Sequence, residues 1–169
     1  MKKAPAHRAV PARAADCVVV TVSDTRTAAE DRSGDAIVTA LKRAGHRVRD
    51  RVWVKDEVAE IRRTVRAALA RRPVHAVLLT GGTGVSPRDR TPEALKPLLA
   101  QELAGFGELF RMLSYRQVGS AAWLSRAGAG VSKGKLVVWL PGSTRAVELA
   151  MARLVVPELS HALRLLGLL

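Results

Sequence analysis

Two aspartates, Asp56 and Asp89, are the residues whose type and placement best suit chemistry. Each follows an apolar segment with the pattern of a β-strand, at 48–54 and at 76–79. If these segments belong to one parallel sheet, both carboxylates lie at its carboxyl edge, where ligands of open α/β sheets bind. Carboxylates beside an anion site repel the anion unless a cation bridges them, and Mg²⁺ is the usual cation for nucleotides.

Both carboxylates also have simpler interpretations. Asp56 can be the N-cap of a helix that begins at Glu57. Asp89 can be a loop residue that forms an ion pair with Arg88 or Arg90. Spacing alone does not choose between these structural roles and catalysis, so both alternatives stay open at this point.

A glycine-rich loop, Thr80-Gly81-Gly82-Thr83-Gly84, comes directly after the strand predicted at 76–79. Glycines let a backbone approach an anion closely, and successive N–H groups can form a concave anion site. A second strand-end loop, Pro141-Gly142-Ser143, follows the strand predicted at 136–140, and Ser143 or Thr144 can cap the next helix. Two such loops at one sheet edge predict a phosphate site.

Several known templates do not match the chain. The P-loop pattern GxxxxGK[ST] is absent, and the dinucleotide pattern GxGxxG fails because Pro87 stands where its last glycine belongs. Ser86 lacks the second flanking glycine of a nucleophile elbow. The histidines show no pair at metal-ligand spacing, which argues against a histidine-held metal and against a Ser-His-Asp triad: His7, His46, His75 and His161.

The elements that position these loops follow from alternating apolar patterns. Strands are predicted at 18–22, 48–54, 76–79 and 136–140, and helical faces lie between them. Thr91 and Pro92 are predicted as the N-cap and the first residue of the helix after the glycine loop. This alternation predicts an α/β fold, a three-layer α/β/α sandwich with a mainly parallel sheet. The glycine-punctuated segment 100–132 fits less well, and it could form a small subdomain or an extra hairpin.

Composition limits the class of protein. The chain of 169 residues suits a single domain at 16–169, preceded by a flexible basic tail at 1–15 that we expect to be dispensable for catalysis. The one cysteine, Cys17, lies in the apolar run CVVVTV and is predicted to be a buried thiol. Neither a membrane span nor a signal-peptide core is present in the sequence, so we expect a cytoplasmic protein.

The net charge of +13 suits polyanionic partners. Aromatic residues make up only 4% of the chain, so platforms for base stacking are scarce, and no nucleic-acid-binding motif is present. A dedicated nucleic-acid binder is therefore not expected. Small polyanionic substrates agree better with the two glycine loops.

Beyond its tail, the chain resembles the MoaB/MogA family of molybdenum cofactor biosynthesis proteins and the G domains of gephyrin and its plant counterpart. The resemblance is carried, in the family's order, by TVSDT (21–25), DRSG (31–34), VKDE (54–57), LLTGGTGVSPRDRTPEAL (78–95), GFGELFRMLS (105–114), LSRAGAG (124–130) and LPGST (140–144). GFGELFRMLS and LPGST are more similar to the MoaB branch than to the MogA branch.

The resemblance implies a three-layer fold, a trimer or hexamer, and Mg²⁺-dependent transfer of the adenylyl group of ATP to molybdopterin. It implies that Asp56 and Asp89 are the catalytic pair, with Asp56 as a candidate Mg²⁺ ligand. It also implies the nucleotide-binding residues Thr80, Gly81, Gly82, Thr83, Gly84, Pro141, Gly142 and Ser143. The candidates for molybdopterin are Ser23, Asp24, Ser86, Arg88 and Ser114. A molybdenum-inserting protein of the same pathway is a further expected partner.

Two positions depart from the pattern of many active relatives. Lys55 stands where those relatives have proline, and Arg90 stands where they have a small hydrophobic residue. Some MoaB members lack the activity, so the alternative is a non-catalytic MoaB-type protein that binds molybdopterin or a partner protein. Retention of Asp56 favours the enzyme.

Overall fold

The computed structural model describes residues 13–25 and 27–169, and within them a six-stranded mixed sheet forms the centre of the fold. The strands are β1 (Asp16–Val22), β2 (Arg47–Val54), β3 (Ala76–Thr80), β4 (Gln101–Glu102), β5 (Gly128–Ser132) and β6 (Lys135–Leu140). Their order is β2-β1-β3-β6-β5-β4. The first four strands are parallel, β5 is antiparallel to β6, and β4 is antiparallel to β5. The four strands predicted from the apolar patterns are confirmed.

Six α-helices are present in the described part of the chain. They are α1 (Arg32–Arg43), α2 (Val58–Ala70), α3 (Thr91–Leu95), α4 (Ala104–Val118), α5 (Thr144–Ala150) and α6 (Val156–Leu165). A π-helical segment, Met151–Val155, joins α5 to α6, and Pro157 lies in the first turn of α6. Because proline has no N–H, residue 157 could not donate a hydrogen bond to the preceding turn even in a regular α-helix. The wider π turn therefore adds no further loss there.

Helices cover both faces of the sheet. Alternate residues of β1 enter two separate cores, Cys17 and Val19 on one face and Val18 and Val20 on the other. The first core packs against α1, α4, α5 and α6, and the second against α2 and α3. Burial on both faces explains why β1 and β3 are apolar at nearly every position. The predicted three-layer α/β/α sandwich is confirmed.

The segment 100–132 extends the main sheet. β5 pairs with β6 through an antiparallel hairpin, β4 pairs with β5, and α4 lies between β4 and β5 in the chain. Of the two predicted alternatives, the extra hairpin is therefore the one that the structure supports.

Two predicted helix starts are wrong by one residue. Glu57, not Asp56, is the N-cap of α2, because the Asp56 carboxylate accepts a hydrogen bond from the N–H of Arg90 instead. Arg90 is the N-cap of α3, and Thr91 is its first residue, with its hydroxyl donated to the carbonyl of Gly81. In both cases the side chain that the local sequence assigned to a helix cap forms a hydrogen bond with another segment of the chain instead.

The start of the domain lies close to the predicted boundary. Most of the predicted tail, residues 1–12, lies outside the described residues. Ala15, assigned to the tail, is fully buried and donates its N–H to Nδ1 of His46 at 3.2 Å. Cys17 is buried as predicted, and burial raises the pKa of its thiol to about 12. No helix of the described residues is long and apolar enough to cross a membrane.

The stability of this fold should fall as the pH drops from 7 towards 5. His46 is buried and its Nδ1 accepts a hydrogen bond, so the folded protein needs the neutral ring, and burial lowers the pKa of His46. As the pH falls, His46 of the unfolded chain binds a proton first, near pH 6.5. The contribution of neutral His46 to stability is therefore fully present above that pH and is lost below it. The pKa of Asp16 is lowered to about 2, chiefly by its hydrogen bond from Arg47, so the loss at Asp16 occurs at lower pH.

Thermal unfolding of the wild type, His46→Asn and His46→Ala at pH 5, 6 and 7 checks this expectation. Both variants should show a weaker pH dependence than the wild type because they lack the titrating ring. Asn can still accept the N–H of Ala15, so only the Ala variant should also be less stable at pH 7. An unchanged pH dependence in both variants would contradict the role of His46.

Candidate functional site

The candidate site lies where the direction of the chain connections reverses. The crossover from β1 to β2 runs through α1 on one face, and the crossover from β2 to β3 runs through α2 on the other. Ligands of open α/β sheets bind beyond the carboxyl ends of the strands at such a switch point. A cleft of about 550 Å³ lies there, lined by Val22, Ser23, Asp24, Thr25, Asp56, Gly81, Gly82, Thr83, Gly84, Arg88, Asp89, Leu124, Ser125, Pro141 and Gly142.

Gly81 holds the glycine loop against the sheet. Its φ is +104°, and a Cβ at this position would lie 2.0 Å from the carbonyl oxygen of Val22, so only glycine fits. Its N–H donates to the carbonyl of Leu140 at 3.0 Å and is therefore engaged within the protein. The hydroxyl of Thr80 donates to the carbonyl of Pro141 at 2.8 Å. These bonds join the two predicted phosphate loops into one unit.

The next two glycines make room for the two carboxylates. A Cβ on Gly82 would lie 2.4 Å from Oδ2 of Asp56, and a Cβ on Gly84 would lie 2.8 Å from Oδ2 of Asp89. Asp56 and Asp89 therefore approach the same loop at positions two residues apart. The predicted convergence of the two carboxylates on the glycine loop is present in the structure.

Replacing Gly82 with alanine should destabilise the protein and displace Asp56. The φ of Gly82 is +63°, and the added Cβ would also lie 2.5 Å from Oγ1 of Thr91. Gly45 is a matched control, since its φ is +81° and nothing lies within 4 Å of an added Cβ. We expect Gly45→Ala to cost about 1–2 kcal/mol through backbone strain, and Gly82→Ala to cost more. Urea unfolding of both variants measures this difference, and equal losses would mean that Asp56 does not crowd the loop.

Asp56 is a buried residue with one hydrogen bond to its carboxylate and one from its backbone N–H. It is 6% exposed, its Oδ1 accepts the N–H of Arg90 at 3.0 Å, and its own N–H donates to Oδ1 of Asp24 at 3.0 Å. Burial raises the pKa of Asp56, and the nearby charge of Asp89 raises it further. The charged form of a desolvated carboxylate is stabilised by a nearby cation or by a hydrogen-bond donor on a ligand.

A charged network borders Asp56. Arg88 donates to Oδ2 of Asp24 through Nε at 3.0 Å and through Nη2 at 2.8 Å, and to Oε1 of Glu57 at 2.8 Å. The hydrogen bond from Arg88 lowers the pKa of Asp24. Arg88 therefore pairs with Asp24 and Glu57, so the predicted alternative of an Arg88–Asp89 pair is wrong.

Asp89 is held by contacts within its own loop. Its Oδ2 accepts the N–H of Ser86 at 3.0 Å, and its N–H donates to the carbonyl of Ser86 at 2.9 Å. Its carbonyl accepts a hydrogen bond from Nη2 of Arg126 at 2.6 Å. The carboxylate is thus oriented by the turn that carries it, at the wall of the cleft.

Four predicted site residues lie outside the cleft lining. Thr80 links the two loops, and Ser143 is the N-cap of α5 without a side-chain capping bond. Ser86 lies in the turn that holds Asp89. Ser114 is 7% exposed in α4, and its Oγ has no hydrogen-bond partner among the described residues. Ser114 does not line this cleft, and its assignment to molybdopterin stays a prediction.

Sequence reasoning missed several residues of this region. Leu124 and Ser125 line the cleft, Glu57 completes the network of Arg88, and Arg126 contacts the glycine loop. Arg126 lies within the LSRAGAG stretch, but its partners Gly84 and Asp89 are 42 and 37 residues away in the chain. Local spacing carries no signal for such contacts.

The described residues contain no group of three or more His, Cys, Asp or Glu side chains arranged to hold a metal ion. Asp56 and Asp89 can supply one or two carboxylates. Mg²⁺ commonly binds proteins in this way, with substrate phosphates and waters as the remaining ligands. The donor set therefore fits a Mg²⁺ ion that arrives with a nucleotide rather than an ion held by the protein alone.

Known proteins are similar to this chain in sequence and in fold. A family model described as "Probable molybdopterin binding domain" matches residues 18–161. Molybdenum cofactor biosynthesis protein B of Halalkalibacterium halodurans is 46% identical over 159 residues, covering 94% of each chain, and that of Bacillus subtilis is 50% identical over 149 residues, covering 88% of each.

A crystal structure of molybdenum cofactor biosynthesis protein B has a TM-score of 0.90 and 46% identity to this chain, and the match covers 92% of this chain and 98% of that one. Fold and sequence thus agree over nearly the whole described chain, and the chain belongs to the MoaB/MogA family, whose shared domain is described as a probable molybdopterin-binding domain.

Proposed function

We propose that this protein takes part in molybdenum cofactor biosynthesis by transferring the adenylyl group of ATP to molybdopterin. The terminal phosphate of molybdopterin attacks the α-phosphorus of ATP, the bond to the bridging oxygen breaks, and pyrophosphate leaves. Adenylyl-molybdopterin is the product, and a molybdenum-inserting protein of the same pathway is the expected recipient.

The observation that carries this proposal is the convergence of Asp56 and Asp89 on Gly82 and Gly84. A phosphate held near the loop would meet both carboxylates, and catalysis of such a transfer rests on positioning and charge neutralisation. The N–H of Gly81 is already bonded to Leu140, so the nucleotide cradle would use the amides after it.

Mg²⁺ bound to the nucleotide would neutralise charge on the reacting phosphates. Asp56 is the candidate ligand because its carboxylate is desolvated and faces the loop. Asp89 would orient the cation or the attacking phosphate from its position beside Gly84. Arg88 is the candidate group for the phosphate of molybdopterin, and it would have to exchange its contacts with Asp24 and Glu57 for that ligand.

The second candidate function is binding of molybdopterin or a partner protein without turnover. Lys55 and Arg90 favour it, since both depart from the pattern of many active relatives. The two functions are separated by pyrophosphate release from Mg-ATP and molybdopterin. We expect release that requires both substrates; tight binding of molybdopterin with no release above background would establish the second function instead.

We also expect a trimer, or a hexamer formed by two trimers, because the helical segment 104–124 exposes several large apolar side chains. These are Leu109 at 48%, Met112 at 55%, Tyr115 at 64%, Val118 at 57% and Trp123 at 71% exposed. Several large apolar side chains exposed on one segment are typical of protein–protein interfaces. Light scattering at micromolar concentration checks the expectation, and a monomeric mass would contradict it.

A further inference from the structure

Arg126 stands between the candidate site and a second cleft. This second cleft has a volume of about 410 Å³ and is lined by Arg126, and its neighbour Ser125 lines both clefts. Arg126 follows α4 and precedes β5, so it reaches the glycine loop from a distant part of the chain. No function described so far uses its side chain.

The guanidinium group of Arg126 binds both ends of the loop that carries Asp89. Nε donates to the carbonyl of Gly84 at 2.7 Å, and Nη2 donates to the carbonyl of Asp89 at 2.6 Å. The backbone N–H of Arg126 donates to the carbonyl of Thr83 at 2.8 Å. One residue therefore spans the segment from Thr83 to Asp89.

Arg126 is itself held in place. Nη1 donates to Oε1 of Glu93, and its carbonyl accepts the indole N–H of Trp139 at 2.8 Å. Trp139 is buried in the core at 1% exposure. Nε, Nη1 and Nη2 thus each have a protein acceptor, which suits a residue that fixes the loop rather than one that waits for a substrate.

These two hydrogen bonds depend on the planar shape of the Arg126 guanidinium group and not only on its charge. The two carbonyls belong to residues five apart, and they are bonded by different nitrogens of one planar group. A lysine ammonium is a point charge without this planar arrangement and cannot reproduce it. Because a small misplacement of a reacting group costs a large factor in rate, the position of the loop matters for turnover.

We propose that Arg126 is a positioning residue, which fixes the Gly84–Asp89 segment and thereby aims the Asp89 carboxylate at the reacting phosphates. The part of this inference that concerns turnover rests on the proposed adenylyl transfer. The part that concerns the loop does not, since it is a property of the protein without substrate.

The test compares Arg126→Met and Arg126→Lys with Arg62→Met as a matched control. Arg62 also donates to two backbone carbonyls, those of Ala94 and Glu93, both at 3.3 Å, but these acceptors lie in α3 and not in the segment from Gly84 to Asp89. Hydrogen–deuterium exchange of the Ser86 and Asp89 amides is measured in the substrate-free proteins. Turnover is measured for each variant alone and combined with Asp89→Asn.

We expect exchange at Ser86 and Asp89 to rise about tenfold in both Arg126 variants, as for loss of one hydrogen bond to a charged group, and to stay unchanged in Arg62→Met. Turnover should fall by up to about 100-fold in both Arg126 variants. In the Asp89→Asn background the same changes should cost little, because both act through one carboxylate.

Unchanged exchange in Arg126→Lys would overturn the inference, whatever the activity. Wild-type turnover in Arg126→Lys would also overturn it, because charge alone would then suffice, and so would additive losses with Asp89→Asn. Should Arg126→Met fail to fold, Arg126→Lys retains the charge and decides the question. A wild type that forms no adenylylated product would contradict the proposed function, while the exchange data would still decide whether Arg126 fixes the loop.

Discussion

Replacing Asp89 with Asn should reduce turnover by about 100- to 1,000-fold, the loss typical of removing one electrostatic interaction made in a transition state. Asn keeps the shape of the side chain, and its Oδ1 can still accept the N–H of Ser86, which Asp89 accepts at 3.0 Å. Only the charge is lost. The melting temperature should change little, because the residue is half-buried in a loop and its backbone contacts remain.

Asp50→Asn is the control for this variant. Asp50 lies on the edge strand β2, outside the lining of the cleft, and pairs with Arg71. Its loss of charge should leave turnover near the wild-type value. Asp89→Asn with normal turnover and a lowered melting temperature would mean that Asp89 is a structural loop residue and not a catalytic one.

Asp56→Asn should lose turnover by a similar factor but should differ in stability. Burial raises the pKa of Asp56, so the ionised carboxylate is less favourable in the folded protein than in the unfolded chain. A raised pKa of this kind lowers stability as the pH rises above about 4, where the carboxyl of the unfolded chain ionises first, and Asn removes that cost. We therefore expect a melting temperature at pH 7 that is equal to or above that of the wild type, together with the loss of turnover.

Turnover and thermal unfolding of Asp56→Asn at pH 7 test both parts. For the structural alternative that the sequence left open, a helix N-cap, replacement should cost stability and spare turnover. That opposite result would contradict the catalytic assignment.

The double variant of Asp56 and Asp89 tests whether the two residues act together. If both bind one assembly of metal and phosphates, the second replacement should cost much less than the first. Fully additive losses would indicate two independent functions. The positions of Gly82 and Gly84 beneath the two carboxylates favour the joint action.

The fold could be predicted from the sequence to the extent that burial determines residue type. β1 and β3 are covered on both faces, so their apolar runs were evident, and the glycine loop necessarily followed β3. β5 was not evident as a strand, because it contains Gly128 and Gly130. A Cβ on Gly128 would lie 2.3 Å from the ring of Trp139, and one on Gly130 would lie 2.7 Å from the carbonyl oxygen of Gln101. Close packing there requires glycine and removes the alternating pattern of a strand.

The site was predictable where its residues lie at strand ends, as Asp24, Asp56, Asp89 and the two loops do. It was not predictable where residues are joined only by the tertiary structure. Arg126 reaches Gly84 from 42 residues away, and Asp56 caps no helix because the N–H of Arg90, 34 residues on, takes its carboxylate. Such contacts depend on the packing of β5 beside β6 and of α3 beside the glycine loop.

The proposed activity of this protein is the transfer of an adenylyl group from ATP to molybdopterin. Its most direct test is mass spectrometry of molybdopterin after incubation with the purified protein and Mg-ATP. We expect a new species heavier by one adenylyl group, formed by the wild type and strongly reduced in Asp89→Asn and Asp56→Asn. Molybdopterin that is bound by the wild type but recovered without an adenylyl group would contradict the claim.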